Sequence, residues 1–259
     1  MAYSFKGELS RKKKILLSTS PFVLILLFWV LLTFYGIVRP LFLPSPLETF
    51  KQTFSLFQNH DFLGDILASL SRIFTGFFIS AVLAVPLGVL AGSFRVCDAI
   101  IIPLMSFIRY MPSSAFIPLV ILWFGIGFLE KVIVVFISIF FYLVLLVADA
   151  TANVRRELIE TALTLGASRV QTVNKVIIPA ALPDIWNALR IMLGVGWTMI
   201  VVVEMVAAQN GIGAMIIHAQ RFLQTPKVIA GIIVIGILGI LSDVLFRVSH
   251  KLFFPWVER

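Results

Sequence analysis

Three ionisable residues stand in otherwise apolar stretches of this sequence: Arg72, Arg109 and Glu204. A charge in such a stretch is costly to bury, so it either pairs with an opposite charge or faces a water-filled route for ions. Arg109 precedes Pro112 and Pro118, which remove two backbone donors and restrict the residue before each. An arginine at that break can face an aqueous route and attract an anion. Its alternatives are snorkelling to the surface, or pairing with Glu204 or Asp98. Glu204 also has two readings, direct ligand contact or an ion pair with Arg72 across a bundle. Neither is an acid or base with an evident substrate. His60, His218 and His250 lie in widely separated segments and Cys97 is the single cysteine. Neither a shared metal site nor an intrachain disulfide is therefore expected. The chain has no G-x-x-x-x-G-K-[ST] phosphate loop and no H-E-x-x-H pair. No catalytic or cofactor-binding residue is assigned, and no convergent set of His, Asp, Ser or Glu supports an intramembrane enzyme.

The elements that hold these residues follow from composition. Of 259 residues, 60% are hydrophobic and 13% charged, and the mean hydropathy is +1.04. A soluble domain of this length cannot hide so much apolar surface. The expected fold class is all-α, a polytopic membrane protein of about six helices at roughly 20 residues each. The apolar runs place spans near residues 15–35, 68–93, 100–126, 131–148, 189–208 and 228–246, with the third kinked or broken at its prolines. Gly76, Gly88 and Gly92 in the second span offer close-packing positions. Residues 39–65 suggest an external loop with an interfacial helix. The basic stretch 1–14 and the run after it resemble a signal peptide, but the run is too long and lacks a small-x-small cleavage site. A retained first helix is expected instead.

The net charge of +8 finds its explanation in position. With the N-terminus inside, fourteen of the 21 Lys and Arg residues lie in or beside internal segments and five in external ones. This asymmetry predicts six spans with both termini cytoplasmic and needs no nucleic acid. The interval 150–187 is too charged to cross a bilayer, yet its apolar residues recur with helical periodicity at Leu158, Ala162, Leu165, Val170 and Val173. Gly166 allows a turn through positive φ, and Ser168 with Gln171 fits a capping box at the next helix start. Pro179 and Pro183 are expected to end this surface segment and redirect the chain into the fifth span. The segment reads as an interfacial amphipathic hairpin or as a docking element for a cytoplasmic subunit.

The run Glu160-Thr161-Ala162-Leu163-Thr164-Leu165-Gly166, followed at fixed spacing by Val176-Ile177-Ile178-Pro179, resembles the EAA motif of binding-protein-dependent ABC transporter permeases. Thr161, Val176 and Ile178 depart from that pattern by small or apolar exchanges. The likeness extends from the second to the sixth span. Ser69-Leu70-Ser71-Arg72 with Gly76-Phe77, Pro86-Leu87-Gly88, Leu122 through Gly127, and Glu204-Met205 before Gly211-Ile212-Gly213 resemble the nitrate, sulfonate, taurine and bicarbonate branch. The resemblance implies a single permease domain over 1–259, with its core at 65–250 and a cytoplasmic coupling segment at 150–187. The implied fold is that of type I ABC importer permeases. Coupling to the ATPase would fall to Glu160, Ala162 and Gly166, Ala162 permitting close contact, with Pro179 shaping the return. Arg109, Arg72 and Glu204 are the residues of interest for a translocation pathway. The implied partners are a second permease copy, two ATP-binding subunits that bind ATP and Mg, and an external substrate-binding protein. The setting is a bacterial inner membrane, and the solute a small anion. A stand-alone secondary transporter would more naturally show an internal repeat.

Overall fold

The computed structural model describes residues 10–59, 62–206 and 209–256. Lys6, His60 and Arg259 lie outside the described residues. Among the described residues five helices are long and apolar enough to cross a membrane, or six if one sharply bent helix pair is counted as a single span. The chain forms two compact units, one of Met1–His60 with Ala219–Ala230, the other of Asp61–His218 with Gly231–Arg259.

In the first unit, helix α1 (Arg11–Phe34) begins at Ser10, whose hydroxyl accepts from the Lys13 N–H. Its hydrophobic window is exposed on every side. The Trp29 indole donates to the Pro44 carbonyl at 2.9 Å, tying α1 to the connection that follows. Helix α2 (Pro46–Asn59) starts where the Ser45 hydroxyl accepts from the Glu48 N–H. Its apolar Leu47, Phe50 and Phe54 are exposed, in keeping with an interfacial helix.

The second unit is built on α3 (Phe62–Ser93), α6 (Phe128–Ala152) and α9 (Ile178–Met205). Helix α6 is apolar nearly all round, and most of its length is buried between its neighbours. Ile73, Val135, Ile139, Leu143, Trp197 and Ile200 form the centre of that core. The approach of α3 to α6 depends on glycines. A methyl group at Gly88 would lie 2.6 Å from Val147 Cβ, and one at Gly92 would lie 2.5 Å from the Ala148 carbonyl oxygen. Helix α11 (Thr225–Phe253) joins α9 through polar contacts, the Trp197 indole donating to Ser242 Oγ at 3.2 Å and the Trp186 indole to the Phe246 carbonyl at 3.1 Å.

The third expected span is broken. Helix α4 (Arg95–Arg109) follows α3 after the single residue Phe94, and a 3-10 turn at Ser113–Phe116 leads into α5 (Ile117–Phe124). The two halves meet at 83°. Pro112 drives Met111 out of helical geometry. Pro118 falls in the first turn of α5, where a missing N–H costs nothing.

The fifth span departs from expectation. From Arg169 to Met205 the chain is one helical rod of 37 residues, comprising α8 (Arg169–Thr172), a π turn at Val173–Ile177 and α9. Pro179 and Pro183 therefore do not end the surface segment. The π turn explains why: the Ile178 N–H bonds to the Val173 carbonyl, a one-residue expansion that shifts the ladder just where Pro179 lacks a donor. The return is made earlier, at Gly166 to Ser168.

Candidate functional site

The segment between α6 and α8 carries α7 (Arg156–Thr164). It ends at Gly166, whose φ of +86° is strained for any residue with a Cβ. The Ala167 N–H then reaches back to the Ala162 carbonyl at 3.0 Å. Ser168 and Gln171 form the expected reciprocal capping box, at 2.9 and 3.3 Å. Glu160 is exposed and accepts from Arg156 Nε at 2.8 Å, one turn away. Leu163 and Leu165 are 47% and 83% exposed, an apolar surface that the described residues leave open. Ala162 is 8% exposed and belongs to the inner face of α7, whereas Glu160, Leu163 and Leu165 are exposed. Because Gly166 and the capping box fix α7 to α8, and α8 continues into α9, α7 sits on the end of a spanning rod.

At the other end of that rod Glu204 is buried, and its carboxylate collects donors from three places. Arg72 Nη1 donates to Oε1 at 2.6 Å, Ser69 Oγ lies 2.9 Å from both oxygens, and the Gly213 N–H donates to Oε2 at 2.9 Å. Arg72 also donates to the Asn210 carbonyl at 2.9 Å and to the Asn210 side chain. The Gly211 N–H donates to Asp65 Oδ1 at 2.7 Å. Gly211, at φ +112°, is required here, since a methyl group would lie 2.5 Å from the Glu204 carboxylate. The cluster fastens the residues before α10 (Ile212–Arg221) onto α3. Arg72 and Glu204 form an ion pair buried inside the protein.

Arg109 lies at the α4 corner, apart from that cluster. Its guanidinium stacks 5.0 Å from the Tyr110 ring centre and donates to the Tyr110 hydroxyl at 3.3 Å, while Tyr142 donates to its carbonyl at 3.1 Å. It pairs with neither Glu204 nor Asp98 and lines two cavities. One, of about 250 Å³, includes Tyr110, Ser113, Ser138 and Tyr142. The other, of about 440 Å³, includes Arg95, Asp98 and Asp149.

Sequence reasoning missed Ser69, Asn210 and Asp65 as partners of the Arg72–Glu204 pair. It also missed that Glu130 and Lys131 are 1% and 2% exposed. Lys131 Nζ donates to Glu130 Oε2 at 2.8 Å and to the Gly127 carbonyl at 3.0 Å. Neighbours in sequence at a helix start look like solvent-facing charges, and only the packing of other helices over them says otherwise.

A bundle of long apolar helices with an exposed short helix joined to one of them is the architecture of a multi-pass membrane protein. A family described as binding-protein-dependent transport system inner membrane component matches residues 84–257, and the chain belongs to that family. Permease components of this kind are non-catalytic. A probable ABC transporter permease protein of Brucella abortus (strain 2308) is 36% identical over 89% of this chain and 91% of its own length. The taurine transport system permease protein TauC of Escherichia coli (strain K12) is 33% identical over 94% of this chain and 90% of its own. Among solved structures, a chain of the MetNI methionine ABC transporter in an inward facing conformation superposes with a TM-score of 0.57 at 22% identity. It covers 72% of this chain and 95% of its own. That likeness shows the fold, an all-α permease bundle.

Proposed function

We propose that this chain is one half of the membrane path of an ATP-driven importer for a small anionic solute of the sulfonate class. Two copies would form the path, two ATP-binding subunits would dock at the α7 end, and an external binding protein would deliver the solute at the Glu204 end. Both termini would then be cytoplasmic, in keeping with the distribution of Lys and Arg. The observation that carries the reading is the joint between α7 and the rod from Arg169 to Met205. A push on Leu163, Leu165 and Glu160 is transmitted along a continuous helix rather than absorbed in a loop. Closure of the ATP-binding subunits would draw the two α7 segments together and rock the rods, exposing the path alternately to either side. Glu160 and Gly166 have separate tasks here, contact and turn. The solute class is supported by the likeness to the taurine permease.

The test is ATP-driven uptake by the assembled transporter in proteoliposomes, comparing taurine, alkanesulfonates, nitrate and bicarbonate, with replacement of Glu160 and Gly166 separately. Loss of uptake together with loss of ATPase co-purification is the expected result for both. Wild-type assembly and uptake in both variants sinks the docking assignment, and uptake confined to uncharged solutes sinks the anion class.

A further inference from the structure

A groove of about 350 Å³ runs between the α3–α4 corner and the segment that carries α7. The corner contributes Phe94, Arg95 and Val96, α7 contributes Leu163, and the start of the rod contributes Arg169 and Ile177. Most of this lining is apolar. Ile177 is buried, whereas Val96 and Leu163 are 72% and 47% exposed. Arg95 and Arg169 are exposed as well. The arginines that form ion pairs among the described residues are others, namely Arg72, Arg156, Arg190 and Arg247. Among the described residues no carboxylate lines the groove, whereas the cavity that shares Arg95 with it holds Asp98 and Asp149.

The groove lies at a membrane boundary. The run from Ile73 to Phe94 carries no charge, and at about 1.5 Å per residue it is long enough for the roughly 30 Å hydrocarbon core of a bilayer. Arg95 therefore stands where that core gives way to headgroups. Arg169 heads α8 on the facing side of the groove. An apolar floor that ends at two guanidiniums, with no carboxylate to compete, suits an amphiphile with an anionic head and an acyl tail. A small free anion would reach the arginines but leave Val96 and Leu163 in water. A neutral lipid would cover the floor and leave the arginines without an anionic acceptor. A phosphate meets them well, because a guanidinium donates to its oxygens through a planar fork.

We propose that this groove binds one anionic phospholipid, with its phosphate between Arg95 and Arg169 and the upper part of an acyl chain along Val96, Leu163 and Ile177. Such a lipid joins the base of the lever formed by α7 and the rod to the α3–α4 corner, and the coupling of ATP hydrolysis to transport then depends on anionic lipid. The inference goes beyond the transport reading above and takes from it the leaflet, the cytoplasmic one, and the coupling role of α7.

The test titrates lipid into the detergent-purified full-length chain and reads the bound fraction by native mass spectrometry, with phosphatidylglycerol, phosphatidylcholine and glycerol 3-phosphate as probes. Phosphatidylglycerol binds saturably, and phosphatidylcholine binds at least about fivefold more weakly, the worth of one arginine beside an anionic headgroup. Arg95→Gln and Arg169→Gln each lower phosphatidylglycerol affinity by about that factor. Arg155→Gln with Lys175→Gln removes charge from exposed positions outside the groove and leaves the affinity near that of the unaltered chain. Val96→Asp puts a carboxylate into the groove at an exposed position in the first turn of α4, where a negative charge suits the helix, and abolishes the preference for phosphatidylglycerol. Equal binding of the two lipids, equal losses in the groove and control variants, or a preference that survives Val96→Asp overturns the proposal. Glycerol 3-phosphate displacing the lipid at equal concentration overturns it too, by showing a phosphate site with no use for the acyl chain. So does loss of the bound lipid when the ATP-binding subunits assemble, which assigns the groove to them. ATP-driven uptake that is the same with and without phosphatidylglycerol removes the lipid's role and leaves the importer reading standing. Lipid binding with the predicted pattern in an assembly that imports no solute keeps the groove assignment and removes the importer reading.

Discussion

Arg72 Nη1 lies 2.6 Å from Glu204 Oε1, and both side chains are buried although 132 positions separate them in the chain. Removing one partner leaves the other charged and buried, a loss of roughly 3–5 kcal/mol. Arg72→Ala and Glu204→Ala are therefore each expected to lower the melting temperature of the purified protein strongly. The double variant should lose much less than the two effects added together, because the pair is one unit. Strict additivity in a double-mutant cycle would show that the two do not depend on each other.

The contact of α3 with α6 makes a steric prediction. At Gly92 a methyl group meets backbone oxygen at 2.5 Å, whereas at Gly236 nothing lies within 4 Å. Gly92→Ala is expected to destabilise by about 1–3 kcal/mol through overpacking. Gly236→Ala should be neutral or slightly stabilising in the same thermal assay, since alanine is the better helix former. Equal behaviour of the two variants would refute the close approach.

Gly166 is tested by chirality rather than by space, since a Cβ there meets nothing within 4 Å. Gly166→Ala costs about 1–2 kcal/mol for a left-handed backbone, and Gly166→Asn less, because asparagine tolerates that region. Co-purification of the ATP-binding subunits should fall in the order Gly, Asn, Ala. If alanine matches glycine, α7 does not need this turn.

Pro179 sits within a continuous rod at its π turn, so its ring is compatible with helix on both sides. Pro179→Ala is expected to leave folding intact and shift stability by under about 1 kcal/mol, since the lost constraint on the unfolded chain is small. Its uptake should stay near wild type. Collapse of uptake with normal assembly would mean that the π turn itself, rather than the rod, matters for transmission, and amide exchange across 173–183 would reveal its conversion to regular helix.

Local features of the sequence are legible because they depend on transfer from water and on backbone sterics at each position. The apolar runs marked the long membrane-spanning helices, Pro112 the break after Arg109, Gly166 the turn, and Ser168 with Gln171 the helix start. The motif around Glu160 pointed to the family. Pro179 and Pro183 misled, because a proline's cost depends on whether the ladder around it shifts, and the π turn does that here. The direction of Ala162 was likewise open until α7 was packed, and the burial of Lys131 had no signal in a charged pair at a helix start. Tertiary structure alone decided that Glu204 meets Arg72, Ser69 and Gly213, and that Asp98, Arg109 and Asp149 share a cavity without pairing. Those relationships depend on which helix faces come together and in what register. Side-chain volume across the whole bundle sets that register, and no single stretch of residues contains it.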